Sequence, residues 1–269
     1  DIQKGILGRD SLAAMKNATF ISEEDFTISG APTLVNIQTA VDSEYVSSYQ
    51  ISSTYNGNSN DYLQVQLDNE GVNSGEFQLN LYENNVPEDF VNGTSTLVDG
   101  DLISEAQLAN GDTVLMIEER FSKLNNLKLG DTVTLTYPDV NGKSSRLDHT
   151  IVGIYSSTKE ATSNVVQTGN MTNYIANQFY APLNMLTSMG YTSKDVDNLL
   201  IDNNIIRLTD PDYIELYRAE IEEIINLKYG LLDANDTLYD SLVGPINIVG
   251  MISNIAVVVI LITGGLIIG

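Results

Sequence analysis

The sequence predicts a mixed α+β fold that ends in the start of a transmembrane helix. Three observations lead to this prediction. Several short segments alternate apolar and polar residues with a period of two, as half-buried strands do. Another segment repeats apolar residues every three or four positions, as one face of an amphipathic helix does. The last residues, 246–269, carry no charged side chain.

The first part of the chain predicts a helix and three strands. The helix begins just after Pro32, and a strand rich in Ser, Thr, Tyr, Val and Ile follows it. Two alternating segments come next, and the turn-like stretch DNEGVNSG between them predicts an antiparallel hairpin. The stretch NGNSND, residues 56–61, is predicted to be a loop by its composition. The predicted helix and strands are residues 33–41, 45–55, 63–67 and 77–81.

A strand followed by a helix is predicted next. Residues 114–117 form a short apolar run, and residues 118–125 follow as a helix with Phe121 and Leu124 facing inward. Two glutamates stand in the first turn of this helix, where the helix dipole favours negative charge.

A hairpin is predicted after this helix. Gly130-Asp131 makes a turn, and residues 133–137 alternate large apolar residues with threonines. Asn141-Gly142 is the residue pair typical of a tight hairpin turn. Residues 147–155 return as the partner strand.

The last third repeats the mixture of elements. A strand ends at Tyr180, residues 182–189 form a short helix, and residues 198–208 are a strand candidate. Residues 210–230 predict the best-defined helix, with an aspartate as N-cap, a proline in the first turn and Gly230 at its end. The apolar stripe of that helix is Ile214, Tyr217, Ile221 and Ile224.

The C-terminal run has the length of a membrane span, which needs about 20 mostly apolar residues. Residues 246–269 contain two asparagines, one serine and one threonine as their only polar side chains. The helix is expected to continue past Gly269. A buried C-terminal helix and a lipid-anchor signal are the alternatives.

The composition is strongly acidic and lacks cysteine. The chain has 36 acidic and 13 basic residues, a formal net charge of −23. Nucleic acid is therefore not an expected partner, because phosphate contacts need Lys and Arg. Without cysteine there is no disulfide and no thiolate metal site.

The charge distribution also predicts topology. Cytoplasmic flanks of membrane helices carry excess Lys and Arg. Here Asp233, Asp236 and Asp240 precede the apolar run, and Lys228 is the nearest base. Residues 1–245 are therefore expected to be extracytoplasmic at a cell membrane. The first residues lack the apolar core of a signal peptide, which predicts a preceding membrane helix and a large loop between two spans.

Several segments together resemble a known family. TVLMIEERFSKLNNLKLGDTVTLTY, followed by IVGIY, resembles the extracytoplasmic core domain of MacB-like (FtsX-type) ABC transporter permeases. FVNGTSTLVDGDLISEAQL is similar to the segment that precedes this pattern in the family. DANDTLYDSLVGPINIVGMISNIAVVVILI resembles the family's entry into its second membrane helix, especially in Gram-positive bacteria. The resemblance extends over residues 91–155 and 198–269.

The resemblance implies a fold in two parts and a set of partners. Residues 1–58 and 160–240 would form a porter-like subdomain of β-α-β units, residues 59–159 an inserted Sabre-like subdomain, and residues 246–269 the start of the membrane helix. ATP would be hydrolysed by a separate ABC ATPase subunit. The permease would pair with a second copy or a paralogue, and a membrane-fusion-type or substrate-binding protein is a further possible partner.

No catalytic, cofactor-binding or metal-binding residue is predicted in the chain. There is no phosphate-binding loop of the form GxxxxGK[ST] and no GxSxG motif. His149, the only histidine, is interpreted as structural because one histidine cannot form a conventional zinc site. Asp68, Asp131 and Asp233 are interpreted as turn or cap residues, because no EF-hand calcium loop surrounds them.

Two functions of different classes remain. The first is a non-catalytic permease domain that couples ATP hydrolysis by another subunit to export, of a peptide or a toxic compound, or to mechanical work outside the membrane. The alternative is the ligand-binding ectodomain of a single-span bacterial surface receptor or adhesin. An enzyme, for example a carboxylate-pair glycosidase, is the weakest hypothesis.

Overall fold

A computed structural model describes most of the chain between residues 32 and 209. The described residues are 17–22, 32–68, 70–72, 75–84, 86–139, 142–161, 165–166, 169–201, 203–209, 213, 216–217, 219–221 and 229–233. The predicted transmembrane helix 246–269 and most of the predicted helix 210–230 lie outside them. Within this described part, no helix is both long and apolar enough to cross a membrane.

Helices and strands alternate along the described residues. The α-helices are α1 (Leu34–Val41), α2 (Glu88–Val91), α3 (Glu105–Asn110), α4 (Glu119–Asn125) and α5 (Ser193–Asp197). The strands are β1 (Asn17–Ser22), β2 (Val46–Asn58), β3 (Gln64–Val65), β4 (Gly71–Val72), β5 (Glu76–Tyr82), β6 (Ser95–Gly100), β7 (Val114–Glu118), β8 (Thr132–Pro138), β9 (Ser144–Ser157), β10 (Gln178–Pro182), β11 (Asn203–Leu208) and β12 (Tyr229–Asp233). The 3₁₀ helices are Met171–Asn173, Ile175–Asn177 and Leu183–Met189.

The chain divides into two compact units. Unit 1 holds the described residues within Asp1–Gly30, Thr39–Ser48 and Ile205–Gly269, and unit 2 holds those within Ala31–Gln38 and Tyr49–Asn204. The division into porter-like and Sabre-like parts stays a prediction.

In unit 1, β1 pairs antiparallel with both β11 and β12. Tyr217 and Ile221, two residues of the predicted apolar stripe, are fully buried. The hydroxyl of Tyr217 donates to the carbonyl of Ala40 at 3.1 Å. The predicted helix end at Gly230 is wrong, because Gly230 lies in β12 opposite Ile21. The ladder with β1 supplies backbone hydrogen bonds that local helix propensity does not take into account.

The strands of unit 2 form a mixed sheet in the order β2-β5-β10-β7-β9-β6. The pairs β5–β10 and β7–β9 are parallel, whereas β2–β5, β7–β10 and β6–β9 are antiparallel. The chain passes from β7 through α4 and β8 before β9 returns beside β7. β8 forms a long antiparallel pair with β9 and meets β2 at Asn58. The mixed α+β fold class predicted from the sequence is confirmed.

Aromatic side chains cover both faces of this sheet. Phe77, Phe121 and Phe179 are fully buried, and their ring centroids lie 4.7 to 5.5 Å apart. Tyr155 and Tyr180, with ring centroids 5.2 Å apart, belong to a second buried cluster. Neighbouring residues of a strand point to opposite faces, so Phe179 and Tyr180 place the two clusters on opposite sides of the sheet.

Predictions that depend on near neighbours in the chain are confirmed. α1, β7, α4, β8 and β9 lie where the sequence predicts a helix or a strand, and residues 183–189 form a 3₁₀ helix. The N-cap of α4 is Glu118, whose side chain accepts from the backbone N–H of Arg120, and its C-cap is Asn126, with a left-handed φ of 52°. Phe121 faces inward as predicted, whereas Leu124 is half-buried.

Two predictions in the first half are wrong. Residues 56–58 of the predicted loop continue β2 and pair with β5. Gly57 makes this possible, because a Cβ atom there would lie 2.7 Å from the ring of Tyr137. The predicted hairpin is also absent from the described residues: β3 pairs with β4, inside the turn-like stretch, while β5 pairs with β2 and β10. Leu63 and Leu67 are accordingly 36% and 45% exposed.

Candidate functional site

One carboxylate joins three elements of unit 2 at the border of the tyrosine cluster. Asp89, in α2, accepts a 2.6 Å hydrogen bond from the hydroxyl of Tyr180 in β10. Its other oxygen lies 2.6 Å from Nζ of Lys159, just after β9. Burial raises the pKa of Tyr180, and the nearby Tyr155 and Asp89 raise it further, so that this hydroxyl stays protonated and donates.

The tyrosine cluster itself is closely packed but not fully hydrogen-bonded. The hydroxyl of Tyr155 donates to the carbonyl of Gln178 at 2.8 Å. The ring of Phe90 packs edge-on against Tyr155 and Tyr180, with centroids 5.7 and 5.5 Å away. Tyr82 is 1% exposed, and its hydroxyl has no hydrogen-bond partner within the described part of the chain. Burying such a hydroxyl costs stability.

An ion pair with a buried carboxylate lies where β7 is followed by α4. Glu118 is 1% exposed and its carboxylate accepts from the backbone N–H of Arg120 at 2.7 Å and from its Nε at 2.9 Å. Nη1 of Arg120 donates to the hydroxyl of Tyr174 at 2.7 Å. Burial alone would lower the pKa of Arg120, but the hydrogen bond and charge of Glu118 raise it. The guanidinium therefore ties the loop before β10 to the end of β7.

His149 lies in the core, as the structural interpretation predicts. It is fully buried in β9, and its Nε2 is 2.7 Å from the hydroxyl of Tyr137 in β8. Its Nδ1 has no hydrogen-bond partner among the described residues. Burial lowers the pKa of His149 to about 4, although the adjacent Asp148 opposes this shift. The imidazole is therefore neutral at pH 7 and acts as a packing residue with one hydrogen bond.

Two asparagine side chains hold β3 in place. Asn177 accepts from the backbone N–H of Val65 at 2.8 Å and donates to its carbonyl at 2.9 Å. Asn125 makes the same pair of bonds with Leu63, at 2.7 and 3.0 Å. Each side-chain amide therefore makes the two hydrogen bonds that a residue of a neighbouring strand would make. Asn177 is fully buried, so its bonds have no competition from water.

The aspartates that could be considered as calcium ligands are Asp68, Asp131 and Asp233. Each has a local hydrogen bond or a position that fits a structural role. Asp68 accepts from the backbone N–H of Glu70 at 3.0 Å, and Asp131 accepts from that of Lys128 at 2.8 Å. Both bonds are typical of turns. Asp233 is the last residue of β12. Across the described ranges, no group of three or more His, Asp or Glu is arranged to hold a metal ion. The absence of metal and catalytic residues from the chain as a whole stays a prediction.

These contacts define a domain whose buried polar groups connect secondary-structure elements to one another. The bonds of Asp89, Arg120 and Asn177 join residues that are 54 to 112 positions apart in the chain. Their common effect is to hold α2, α4, β3, β7 and β10 in one arrangement. Sequence reasoning missed Asp89 and Asn177, because nothing near them in the chain indicates a distant partner.

Comparison with known proteins identifies the family. Residues 5–224 match the family described as the MacB-like periplasmic core domain. The ABC transporter permease YclI of Bacillus subtilis (strain 168) is 27% identical over 183 residues, an alignment that covers 68% of this chain. The chain spans 36% of the length of YclI.

Two solved structures are similar in fold. The periplasmic region of MacB from Actinobacillus actinomycetemcomitans aligns over 84% of this chain and 92% of its own, with a TM-score of 0.53 and 13% identity. The extracellular domain of the ABC-type transporter YknZ from Gram-positive bacteria covers 80% of this chain and 99% of its own, with a TM-score of 0.49 and 14% identity. The MacB structure shows the fold.

The fold and the family match define the chain as an extracytoplasmic domain of a membrane permease. The chain belongs to the family of MacB-like periplasmic core domains of ABC transporter permeases. The family resemblance predicted from the sequence is confirmed.

Proposed function

We propose that this domain works as the non-catalytic, mechanical part of its transporter. It moves with two adjoining membrane helices and transmits motion, driven by ATP hydrolysis in a separate subunit, to a substrate or partner outside the membrane. The observation that carries this proposal is the family match over residues 5–224.

The contacts of unit 2 support a mechanical role. A part that transmits motion must keep its internal geometry while its membrane attachments move. Asp89 and Arg120 join distant elements through charge-assisted hydrogen bonds, which are stronger and more directional than neutral ones. Buried aromatic clusters cover both faces of the sheet between them. Unit 2 therefore has the dense cross-links that a rigid lever needs.

Membrane attachment follows from the sequence. The apolar residues 246–269 form the start of a transmembrane helix, and residues 1–245 lie outside the membrane. The acidic residues Asp233, Asp236 and Asp240, without a neighbouring base, favour this orientation. Residues 1–58 and 160–240 form the porter-like subdomain, and residues 59–159 the Sabre-like subdomain, of the proposed arrangement.

The proposed partners are those of a working ABC transporter. An ABC ATPase subunit supplies the energy, and a second permease copy or a paralogue completes the membrane channel or lever. A membrane-fusion-type or substrate-binding protein receives the motion outside. Export of a peptide or toxic compound, and mechanical work on an outside partner, are the activities that this arrangement serves.

The first test is the mass of the native protein and its bound partners. The protein is extracted gently from its own membrane through a small affinity tag, and native mass spectrometry measures the polypeptide and whatever remains bound. The expected result is a polypeptide well above 29.4 kDa, with several membrane spans and an attached ATP-hydrolysing subunit. The control is the same preparation from untagged cells.

The same experiment can overturn the proposal. A polypeptide barely longer than this chain, with no nucleotide-hydrolysing subunit, would leave the single-span surface receptor or adhesin as the function. ATP hydrolysis by the purified complex, abolished when the partner subunit's nucleotide-binding lysine is replaced, would assign the motor to that subunit.

A further inference from the structure

Exposed apolar side chains gather at one edge of the unit 2 sheet. Val91 of α2 is 60% exposed, and Leu97 and Val98 of β6 are 38% and 50% exposed. α2 packs against β6. These three residues, which we call the β6 patch, lie on a strand and a helix that are held in place by buried contacts. These apolar side chains are therefore exposed on an ordered surface.

Within the described part of the chain, the backbone of β6 has a neighbouring strand on one side only. Among the described residues, β6 pairs only with β9. The backbone N–H of Thr158 donates to the carbonyl of Thr94 at 2.8 Å. Because the hydrogen-bonded pairs of an antiparallel ladder alternate, the backbone groups of Thr96 point toward β9 and those of Leu97 point away from it. An edge of this kind can accept a further strand.

The surroundings of the edge are acidic. Residues 76–119 contain ten Asp or Glu and no Lys or Arg. Asp99 and Asp101 are exposed at the end of β6, and Glu88 begins the helix beside it. Asp89 pairs with Lys159, and Glu118 and Glu119, at the other end of this segment, pair with Arg120 and Lys123. A basic partner is therefore favoured by charge.

The edge also discriminates against a second copy of itself. The register shifts between Leu97 and Asp99, so β6 carries a bulge at Val98. Bulges and charges are the devices that keep sheet edges from pairing with identical edges. Two copies joined edge to edge would bring their acidic residues together, which costs free energy. A basic segment would gain from the same charges.

We propose that β6 binds an extended segment of a partner protein, rich in basic and apolar residues, as an added strand. Backbone hydrogen bonds to Leu97 supply part of the affinity, the β6 patch contacts apolar side chains, and the acidic rim selects a cationic partner. This inference rests on the proposed function for the location of the partner, outside the membrane.

The test uses a defined peptide and the whole chain in detergent micelles. The probe is an acetylated, amidated heptapeptide of alternating lysine and valine. Hydrogen exchange is measured with and without it by mass spectrometry. Exchange in β6 is expected to slow about tenfold at saturation, because added backbone hydrogen bonds protect edge amides. β3 and β4 serve as the internal reference and should be unaffected.

Modified peptides and variants decide between strand addition and simple charge attraction. A peptide with every backbone nitrogen methylated lacks the backbone donors and should not protect β6. Leu97→Lys should weaken binding about tenfold by placing positive charge at the edge. The matched control, Leu67→Lys, changes an equally exposed leucine next to β3 and should bind like the unmodified chain.

Three results would overturn the proposal: no protection of β6, equal protection by the N-methylated peptide, or equal binding by the Leu97→Lys chain. The experiment needs no ATPase and no second permease. If the peptide protects β6 but the native protein has no ATPase subunit, the proposed function is wrong and this inference stands. If an ATPase subunit is attached but the peptide does not protect β6, this inference is wrong and the proposed function stands.

Discussion

Acidification should destabilise the fold through His149. This imidazole is fully buried and makes a 2.7 Å hydrogen bond with the hydroxyl of Tyr137. Burial lowers its pKa from 6.5 to about 4. An unfolded chain exposes the ring to water and restores the ordinary pKa. Between these two pH values His149 binds a proton in the unfolded state and stays neutral in the folded state.

The size of the effect follows from the two pKa values. A folded-state pKa below the unfolded value means that the stabilisation is complete above about pH 6.5 and falls as the pH drops toward 4. Each pKa unit corresponds to about 1.4 kcal/mol, so the loss is about 3 kcal/mol once the pH is below both values. At pH 5 the folded protein should have lost about 2 kcal/mol through this one residue.

The assay compares urea unfolding at pH 7 and pH 5, followed by far-UV circular dichroism. Carboxylates also titrate in this range, so the comparison needs a variant without the imidazole. His149→Phe keeps an aromatic ring at this position and removes the titration. The free energy of unfolding of the unmodified chain should fall by about 2 kcal/mol more than that of the variant. Equal losses would refute the assignment of a depressed pKa to His149.

Four further outcomes are expected from polar groups in the interior of the domain. Tyr82→Phe removes a hydroxyl that has no hydrogen-bond partner among the described residues, so the free energy of unfolding should stay unchanged or rise by about 1 kcal/mol. Tyr180→Phe removes a hydrogen-bond donor to the carboxylate of Asp89 and should lower the free energy of unfolding by about 2 kcal/mol. Urea unfolding of the two variants measures both changes. Equal changes in the two variants would contradict this reasoning. Asn177→Ala removes the side chain that pairs with the backbone of β3, so amide hydrogen exchange in β3 should become faster while exchange in β9 stays unchanged. Unchanged exchange in β3 would show that the Asn177 side chain is dispensable. Arg120→Met leaves the carboxylate of Glu118 buried without its ion pair and should cost about 3 kcal/mol, measured by thermal or urea unfolding. Adding Glu118→Gln should recover most of that loss, and failure to recover it would point to lost packing of the arginine instead.

Local elements were predicted well because their causes lie within a few residues. α4 has its cap at Glu118 and an inward Phe121, and the hairpin of β8 and β9 has a turn around Gly142 with a φ of 75°. Hydrogen bonds and packing between near neighbours decide such elements. The family resemblance depended on the order of these same local elements along the chain.

Strand partners could not be predicted in the same way. β5 lies between β2 and β10, and β10 follows it by about a hundred residues. An alternating segment such as Phe77–Leu79–Leu81 shows that one face is buried, but it does not show which strand lies beside it. The predicted hairpin failed for this reason, and the loop predicted at residues 56–58 failed because Gly57 makes room for a distant tyrosine ring.

The sequence by itself determined the fold class, the family, the acidic character and the positions of the elements that close on near neighbours. These properties depend on composition and on periodicity over a few residues. Only the tertiary structure decided that Asp89 holds Tyr180 and that Asn177 pairs with β3. It also decided that β6, which pairs only with β9 among the described residues, carries exposed apolar residues. Such contacts join residues far apart in the chain, and their free energy exists only when the whole sheet has formed.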